Sequence, residues 1–457
     1  MKFKLFFLSL CLLPFFIISI FNHPAVDDFW SANMIREYGR IGTVKYLYQT
    51  ASARYFSNFL MSFLNTLPYG KIWMFKVWPI VIFVSLIVCF NFFYASIFQN
   101  IFTKKETLLA SFFFVVVYFS TTRTLFEELY WMSSTICYQL AICILVVGIG
   151  SIIRYLKSNC SFYGFAAMLC CLLLPGTAET IVPVYILFLI SLLFILIKQR
   201  KSFQFVAVCI ALVMFCLCFV LVSHGNHTRI QNDGHAYNQN FFYSLLYSIQ
   251  SVGYYGLVWL SRPIIISAFL VMLPSLQKLS KRLTIPFITQ LNPLILIFAS
   301  FSICVIIYFP VIYLVSKIPF PRVTTIAFVV ATHLSVLIIL VSLKNNTGFS
   351  RFVTLILSKK YFSIFAWILF FGSAFTTRNF LIITKDLLQG NAYDYNIEAN
   401  NRYQIIESRK GDTCYVPMYV HWPFFAHYAK TETENSNSFT HMNKYFGKII
   451  MYEKAKQ

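Results

Sequence analysis

Residues 181–222 read IVPVYILFLISLLFILI, then KQRKS, then FQFVAVCIALVMFCLCFVLV. The outer blocks, 181–197 and 203–222, are almost wholly apolar, and the short block between them is basic. An α-helix needs about 20 consecutive apolar residues to cross the hydrocarbon core of a bilayer. The stretch therefore predicts two membrane-spanning helices joined by a short basic turn.

The rest of the chain repeats this pattern. Of the 457 residues, 58% are hydrophobic and 12% are charged. Ordinary soluble domains have roughly 45–50% apolar and about 25% charged residues, so the composition excludes a soluble enzyme and predicts an all-α polytopic membrane protein. The net charge of +21 would suggest nucleic-acid binding in a soluble chain, but here the basic residues lie in short loops between apolar runs. We expect a membrane partner and no nucleic acid.

Eleven apolar runs predict about eleven transmembrane helices, at 5–21, 77–98, 108–120, 136–153, 160–174, 181–197, 203–222, 252–275, 287–309, 323–343 and 361–383. The positive-inside rule makes the N-terminus cytoplasmic, together with the loops rich in lysine and arginine at 99–107, 154–159, 198–202, 276–285 and 344–360. No small-x-small cleavage site precedes Asn22, so we expect the first run to be retained as a span.

The acidic residues are distributed unevenly between the two faces. Eight precede the C-terminal tail, and all except Glu106 fall on the predicted outer face: Asp27, Asp28, Glu37, Glu127, Glu128, Glu179 and Asp233. Because acids hardly influence membrane insertion, this distribution indicates chemistry at the outer face. Simple solubilisation of the loops is the alternative. The cytoplasmic loops are short and contain no nucleotide-binding motif, which argues against ATP-driven transport.

Two stretches leave the number of spans open. Residues 244–275 are too long for one span and contain Arg262-Pro263, which is compatible with an interfacial helix or a re-entrant segment. Residues 286–316 are also long and are interrupted by Pro293 and Pro310. Counts of ten or twelve are therefore alternatives, and an even count would place the tail in the cytoplasm.

The first outer loop, 22–76, contains the most informative motif, Asp27-Asp28-Phe29-Trp30. Repulsion between two adjacent carboxylates near a membrane surface raises one pKa, which makes Asp27 or Asp28 a candidate catalytic base. The other carboxylate stays ionised or binds a divalent cation such as Mg²⁺ or Mn²⁺, with Asp28 as the candidate ligand. A cap at a helix N-terminus is the alternative role of the pair.

Arginines follow the acidic pair. Residues 29–38 and 43–64 are amphipathic, and we expect them to lie on the membrane as interfacial helices. They would bring four basic residues beside the carboxylates: Arg36, Arg40, Lys45 and Arg54. Guanidinium groups bind phosphate oxygens in a bidentate manner. A carboxylate pair with arginines at a lipid interface is suited to transfer a group from a lipid phosphate.

The order of these motifs resembles that of multi-span glycosyltransferases of the GT-C superfamily. The resemblance covers residues 1–180 and rests on a short first span, Asp27-Asp28, Gly39-Arg40, Arg54-Tyr55-Phe56-Ser57-Asn58, and Glu128-Leu129-Tyr130-Trp131 with Tyr138. Within this superfamily the chain is similar to bacterial and phage-borne O-antigen glucosyltransferases that use polyprenyl-phosphate sugars. In that family Trp or Asn more often precedes the Gly-Arg pair, so it stays open whether Arg40 or Arg54 corresponds.

The resemblance implies that Asp27 and Asp28 are catalytic and that transfer inverts the anomeric centre. It also implies a polyprenyl-phosphate sugar as donor, a lipopolysaccharide glycan as acceptor, and a location in the bacterial inner membrane with the active face extracytoplasmic. The implied reaction is that of a hexosyltransferase. A divalent cation is the one candidate cofactor.

Ten further residues form the candidate substrate-binding set: Arg40, Arg54, Asn58, Glu128, Tyr130, Trp131, Tyr138, Glu179, Lys317 and Arg322. Glu128 and Glu179 offer carboxylates for sugar hydroxyls, and Trp131 offers a ring for the apolar face of the sugar. Lys317 and Arg322 are placed to hold the phosphate as it leaves. Interfacial anchoring of the aromatic and basic side chains, and plain solvation of the glutamates, are the alternatives.

The chain divides into a transmembrane domain, 1–383, and a tail, 384–457. A helix is predicted at 391–410 and a strand at 413–420, so we expect a small extracytoplasmic α/β segment that docks on the outer loops. Recognition of the acceptor glycan and simple packing on the membrane surface are both compatible with it. Loop 223–243 holds three histidines and an aspartate, but their spacing is a weak zinc pattern, and a polar loop is the preferred interpretation.

The leading hypothesis is a glycosyltransferase that uses a polyprenyl-phosphate sugar at the outer face. One alternative is a transporter or flippase for lipid-linked saccharide, which would place ionisable groups near the bilayer midplane, where Arg262 is the main candidate. The other alternative is a glycan polymerase or ligase that uses a diphosphate-linked donor. Defined monophosphate and diphosphate donors separate the two enzymes, and liposome flipping assays test transport.

Overall fold

The computed structural model describes residues 1–99, 101–233, 239–282, 291–314, 318–426 and 437–453. These parts of the chain are mostly helical. The helices are α1 (Lys2–Ile18), α2 (Asp27–Thr50), α3 (Tyr55–Leu64), α4 (Trp73–Ile97), α5 (Lys104–Thr121), α6 (Met132–Cys137), α7 (Gln139–Ser158), α8 (Ser161–Leu173), α9 (Val182–Lys198), α10 (Gln204–Leu221), α11 (His224–Asp233), α12 (Phe241–Leu260), α13 (Pro263–Arg282), α14 (Pro293–Leu314), α15 (Pro321–Asn345), α16 (Thr347–Leu357), α17 (Phe362–Phe375), α18 (Arg378–Leu388), α19 (Asn391–Ser408) and α20 (Asn437–Phe446). Short 3₁₀ turns and a π-helical turn at Phe126–Tyr130 join them.

Several of these helices make the chain a multi-pass membrane protein. Within the described ranges, eight segments are long and apolar enough to cross a bilayer: Lys2–Phe21, Trp73–Ile97, Met132–Ser158, Glu179–Lys198, Gln204–Leu221, Pro263–Arg282, Pro293–Leu314 and Pro321–Asn345. Helices α16 and α17 satisfy the same criterion only as a pair, and they meet at a bend of 86°. The pair is therefore a broken span or a re-entrant loop.

The predicted count of eleven spans is not confirmed by helix length and composition. The runs at 108–120, 160–174 and 361–383 do form helices, but these are shorter or carry more charge than a span of ordinary length. The run at 252–275 is divided, because α12 ends at Leu260 and α13 begins at Pro263. Proline is tolerated at the first position of a helix, where its missing N–H costs nothing.

The segment Met132–Ser158 is the centre of the bundle. In its most apolar window 72% of the residues are buried, whereas the value is 44% or less for the other candidate spans. It packs against both α4 and α8. The side chains at its beginning are therefore held by surrounding helices, and the candidate site is built there.

One end of the bundle, which we call the acidic face, carries the loops at 22–72, 122–131, 174–181 and 222–233 and the chain after residue 388. The predicted interfacial segment 29–38 lies in the first half of α2, which is interrupted at Gly39, where φ is 71°. The predicted segment 43–64 is not one helix, because residues 51–54 separate α2 from α3.

The tail packs against the first loop of the acidic face. Tyr445 Oη donates a hydrogen bond to the Leu67 carbonyl at 2.7 Å, and Asn33 Nδ2 donates to the His441 carbonyl at 2.9 Å. Helix α19 lies where the sequence predicts a helix, and the strand predicted at 413–420 ends earlier. It is β1 (Thr413–Val416), which pairs in parallel with β2 (Ile449–Tyr452).

The contact between α11 and α2 depends on Gly225. A Cβ at this position would lie 2.7 Å from the carbonyl oxygen of Tyr48 and 2.9 Å from the amide nitrogen of Ala51, and main-chain atoms cannot rotate away. We expect Gly225→Ala to reduce the unfolding free energy by about 1–3 kcal/mol. Gly253→Ala is the control, because a Cβ there meets nothing within 4 Å. Thermal unfolding of the purified variants measures the effect, and equal midpoints for the two variants would contradict it.

Candidate functional site

The carboxyl group of Asp28 is enclosed at the start of α2. Its side chain is 1% exposed, and its two oxygens accept hydrogen bonds from the Ala25 N–H at 2.9 Å and from Ser133 Oγ at 3.0 Å. Burial raises the pKa of Asp28 to about 7, the two hydrogen bonds oppose this rise, and the neighbouring Asp27 adds to it. The carboxyl therefore exchanges its proton near neutral pH.

The backbone before the acidic pair is strained. Val26 has a φ of 45°, a conformation that a β-branched residue rarely adopts. It follows Ala25, whose N–H binds the Asp28 carboxyl, so the turn that carries the strain also directs this carboxyl inward. Asp27 is half-buried and lies nearer the surface. Strained backbone of this kind is concentrated at functional sites.

Two arginines meet around the ring of Tyr138. Arg54 binds both carboxylate oxygens of Glu179, with Nε–O distances of 3.2 and 3.0 Å and an Nη2–O distance of 2.9 Å. Arg322 forms a longer ion pair of 3.9 Å with Glu127. The guanidinium carbons of the two arginines lie 5.4 and 5.3 Å from the centre of the Tyr138 ring. We call these five residues the Arg–Glu cluster; each arginine in it has a carboxylate partner.

Trp131 adjoins the Arg–Glu cluster, with the Arg322 guanidinium 5.4 Å from the centre of its ring. The structure thus brings together Arg54, Trp131, Tyr138, Glu179 and Arg322, which the sequence nominated separately. Asp28 is not in this group, because its carboxyl oxygens accept hydrogen bonds from Ala25 and Ser133. The expected placement of arginines beside the carboxylate pair stays a prediction.

Glu128 is fully buried beside the cluster. One carboxyl oxygen accepts a hydrogen bond from Gln139 Nε2 and the other from Thr325 Oγ1. Burial raises the pKa of Glu128 to about 8, and the hydrogen bond from Thr325 opposes this rise. At neutral pH the group is therefore largely protonated, so it can donate as well as accept a hydrogen bond.

Three other nominated residues do not join the cluster. Arg40 lies over the rings of Phe63 and Tyr69, at 5.2 and 5.4 Å. Asn58 donates a hydrogen bond to the Ser52 carbonyl, and Tyr130 donates one to the Phe15 carbonyl. Both bonds connect parts of the fold. Lys317 lies outside the described residues. A substrate-binding role for these four stays a prediction.

No metal centre is formed by the residues that the structure describes, since none of their His, Cys, Asp and Glu side chains form a group of three that could hold an ion. Each oxygen of the Asp28 carboxyl accepts one hydrogen bond, from the Ala25 N–H or from the Ser133 hydroxyl. Of the histidines in loop 223–243, His224 and His227 lie on α11 and His235 is outside the described residues. Metal binding at Asp28 stays a prediction.

A second set of arginines lies on the acidic face, and sequence reasoning considered only Arg262 among them, as a charge near the bilayer midplane. Arg123, Arg262 and Arg378 line a cavity of about 200 Å³, which we call the arginine pocket. Only Arg123 was predicted to lie in an outer loop, whereas Arg262 and Arg378 fell inside the predicted spans 252–275 and 361–383. For Arg123 the signal was available, because a basic residue on the outer side is an exception to the positive-inside rule.

Comparison with known proteins gives no match to a family model, a curated protein or a solved structure. The function of the acidic face is therefore inferred from its geometry and chemistry. Three features bear on it: carboxyls that titrate near neutral pH, arginines paired with glutamates, and a pocket lined by three further arginines.

The raised pKa of Asp28 makes a prediction about stability. Above its ordinary pKa of 3.8 the unfolded state releases a proton that the folded state keeps up to about pH 7. Stability from this group is therefore complete at low pH and decreases as the pH rises from about 4 to about 7. We expect Asp28→Asn to remove this decrease, while Asp412→Asn, at an exposed position of the tail, leaves it intact. Unfolding midpoints measured across this range check the difference, and identical pH profiles for wild type and Asp28→Asn would contradict it.

Proposed function

We propose that the protein is a membrane glycosyltransferase that transfers a sugar from a polyprenyl-phosphate donor to a cell-surface glycan such as O-antigen. The observation that supports this proposal most directly is the enclosed Asp28 carboxyl, whose pKa is raised to about 7 by burial. A catalytic base works best when its pKa lies near the operating pH. In this proposal the acidic face is the extracytoplasmic side of a bacterial inner membrane, and the N-terminus is cytoplasmic.

The reaction is a single displacement at the anomeric carbon. Asp28 or Asp27 accepts the proton of an acceptor hydroxyl, whose oxygen forms the new bond to the anomeric carbon. The bond between that carbon and the phosphate oxygen breaks, and its electron pair leaves with the polyprenyl phosphate. One displacement inverts the configuration, and the proton then passes from the carboxyl to water.

The Ser133 hydroxyl marks the position proposed for the acceptor hydroxyl. Its half-buried hydroxyl donates to Asp28 Oδ1 at 3.0 Å and also lies 3.8 Å from Met61 Sδ. An acceptor hydroxyl that replaced the Ser133 hydroxyl would donate to the same carboxyl oxygen, which is the geometry that proton transfer requires. Glu128, protonated near neutral pH, is suited to hydrogen-bond a sugar hydroxyl on the same face.

A lipid-linked saccharide flippase is the second candidate. One observation favours it: a cavity of about 1970 Å³ lies among the spans, and its lining includes Lys157 and Lys201 at the end opposite the acidic face. A flippase would move labelled lipid-linked saccharide across proteoliposomes without changing it. Sugar transfer in the absence of such movement favours the enzyme.

Substitution of the acidic pair tests the enzyme. In membranes supplied with a polyprenyl-phosphate sugar and an acceptor glycan, we expect Asp27→Asn or Asp28→Asn to reduce transfer by about 10²–10⁴-fold at unchanged expression, because a catalytic base contributes that much. Wild-type activity is expected to rise with pH through about 7, as Asp28 loses its proton. Glu37→Gln is the matched control, since Glu37 is an exposed acid on the same helix.

Full turnover by both asparagine variants would overturn the assignment. A parallel reaction with the diphosphate-linked donor separates the remaining enzyme alternative. If only the diphosphate donor is used, the protein is a polymerase or ligase.

A further inference from the structure

The arginine pocket gathers three cations from separate parts of the chain. Arg123 follows α5, Arg262 lies in the break between α12 and α13, and Arg378 is the first residue of α18. Thr324 and Thr325, near the start of α15, add hydroxyl groups to the same wall. Helices α13 and α18 begin at this pocket, and a helix N-terminus favours negative charge. The pocket is thus suited to an anion.

The charge of this pocket is not compensated by the described residues. Arg123 donates to Tyr255 Oη at 3.2 Å, Arg262 donates to the Thr121 carbonyl at 2.6 Å, and Arg378 lies over the Phe424 ring at 5.3 Å. None of the three arginines forms an ion pair with a carboxylate in the described part of the chain. The two arginines of the Arg–Glu cluster differ in this respect, because each has a glutamate partner.

A large apolar cavity adjoins the arginine pocket. The 1970 Å³ cavity is lined mainly by apolar side chains of the spans, and Trp259 and Phe328 line both cavities. These two rings pack edge to face, with centroids 5.3 Å apart, and form the boundary between the polar and apolar spaces. Leu257 and Leu260 line the apolar cavity and are 71% and 61% exposed, so the cavity reaches the lipid-facing perimeter of the bundle.

We propose that the two cavities form one binding site for a long-chain lipid phosphate, with the phosphate among Arg123, Arg262 and Arg378 and the hydrocarbon chain in the apolar cavity. A guanidinium group matches phosphate oxygens in geometry and charge. A neutral lipid would leave the three cations without a counter-charge, and inorganic phosphate would leave the apolar cavity unused. A lipid with an anionic headgroup supplies the counter-charge for the arginines and a hydrocarbon chain for the apolar cavity.

This inference rests on the proposed function, whose donor belongs to the same chemical class. It places the donor phosphate on arginines other than Arg40, Arg54 and Arg322. Thr325 joins the pocket to Glu128, because it lines the pocket and donates to the Glu128 carboxyl. The lipid headgroup would therefore lie on the face that holds the acidic pair.

Binding to the purified full-length protein in nanodiscs tests the headgroup site. The probes are a polyprenyl phosphate, the corresponding polyprenol without phosphate, and inorganic phosphate. We expect Arg123→Gln and Arg378→Gln each to weaken polyprenyl phosphate binding by about tenfold or more. Both side chains are exposed at the pocket, so the variants should fold. Arg351→Gln, at an exposed position of α16, is the control and should bind as wild type does.

Wild-type affinity in both glutamine variants would overturn the inference. So would equal binding of polyprenol and polyprenyl phosphate, or competition by inorganic phosphate as strong as that by the lipid.

Gly256 provides an independent test of the chain site. It lines the apolar cavity, and a Cβ there would meet nothing within 4 Å. Gly256→Phe places a ring toward this open space and removes a helix-weakening glycine. We expect the variant to weaken polyprenyl phosphate binding by about tenfold and to have the same affinity as wild type for inorganic phosphate, which has no hydrocarbon chain. Unaltered polyprenyl phosphate binding would show that the chain lies elsewhere.

The two proposals fail in different ways. Asp28→Asn is expected to bind polyprenyl phosphate like wild type while losing sugar transfer. Normal lipid binding by the arginine variants, with active wild-type transfer, would refute the lipid site and leave the enzyme assignment standing. Lipid binding that depends on the arginines, without any transfer by wild type, would refute the enzyme assignment alone.

Discussion

A charged group enclosed by apolar helices must be paired, neutralised or hydrated, because an isolated charge away from water is costly. The acidic face meets this constraint in three ways. The Arg–Glu cluster pairs its charges. Asp28 and Glu128 are enclosed by hydroxyl, amide and main-chain donors, and burial raises the pKa of each so that the neutral form persists toward neutral pH. The arginine pocket keeps its charge by remaining open.

The three groups of charged residues have different roles in the proposed site. Paired charges fix the positions of the loops and are already satisfied, so they have little affinity left for a ligand. Carboxyls with raised pKa values can exchange protons, and unpaired arginines can bind an anion. The short helix α6 and the start of α15 connect the three groups, since Ser133 contacts Asp28, Tyr138 lies between two arginines, and Thr325 joins Glu128 to the arginine pocket.

The sequence was sufficient to predict a helical multi-pass membrane protein, because the length of an apolar run is a local property, but the count of eleven spans is not confirmed. It also indicated Asp28, Glu128 and Glu179 as candidates, because a carboxylate next to an apolar run is costly to remove from water. It could not predict that Arg54 pairs with Glu179, since a contact between residues so far apart depends on the packing of several helices. The convergence of Arg123, Arg262 and Arg378 was missed for the same reason, because these residues are distant in the sequence and meet only in the fold. The sequence indicated a break at Arg262-Pro263, but it did not predict that the break would place Arg262 in the arginine pocket.

The protonation state of Asp28 is the central claim, and infrared titration of the purified protein tests it most directly. Comparison of wild type with Asp28→Asn isolates the absorption of the protonated Asp28 carboxyl. The account predicts that this band persists in mildly acidic solution and disappears with a midpoint of about pH 7. Loss of the band near the ordinary aspartate value of 3.8 would contradict it.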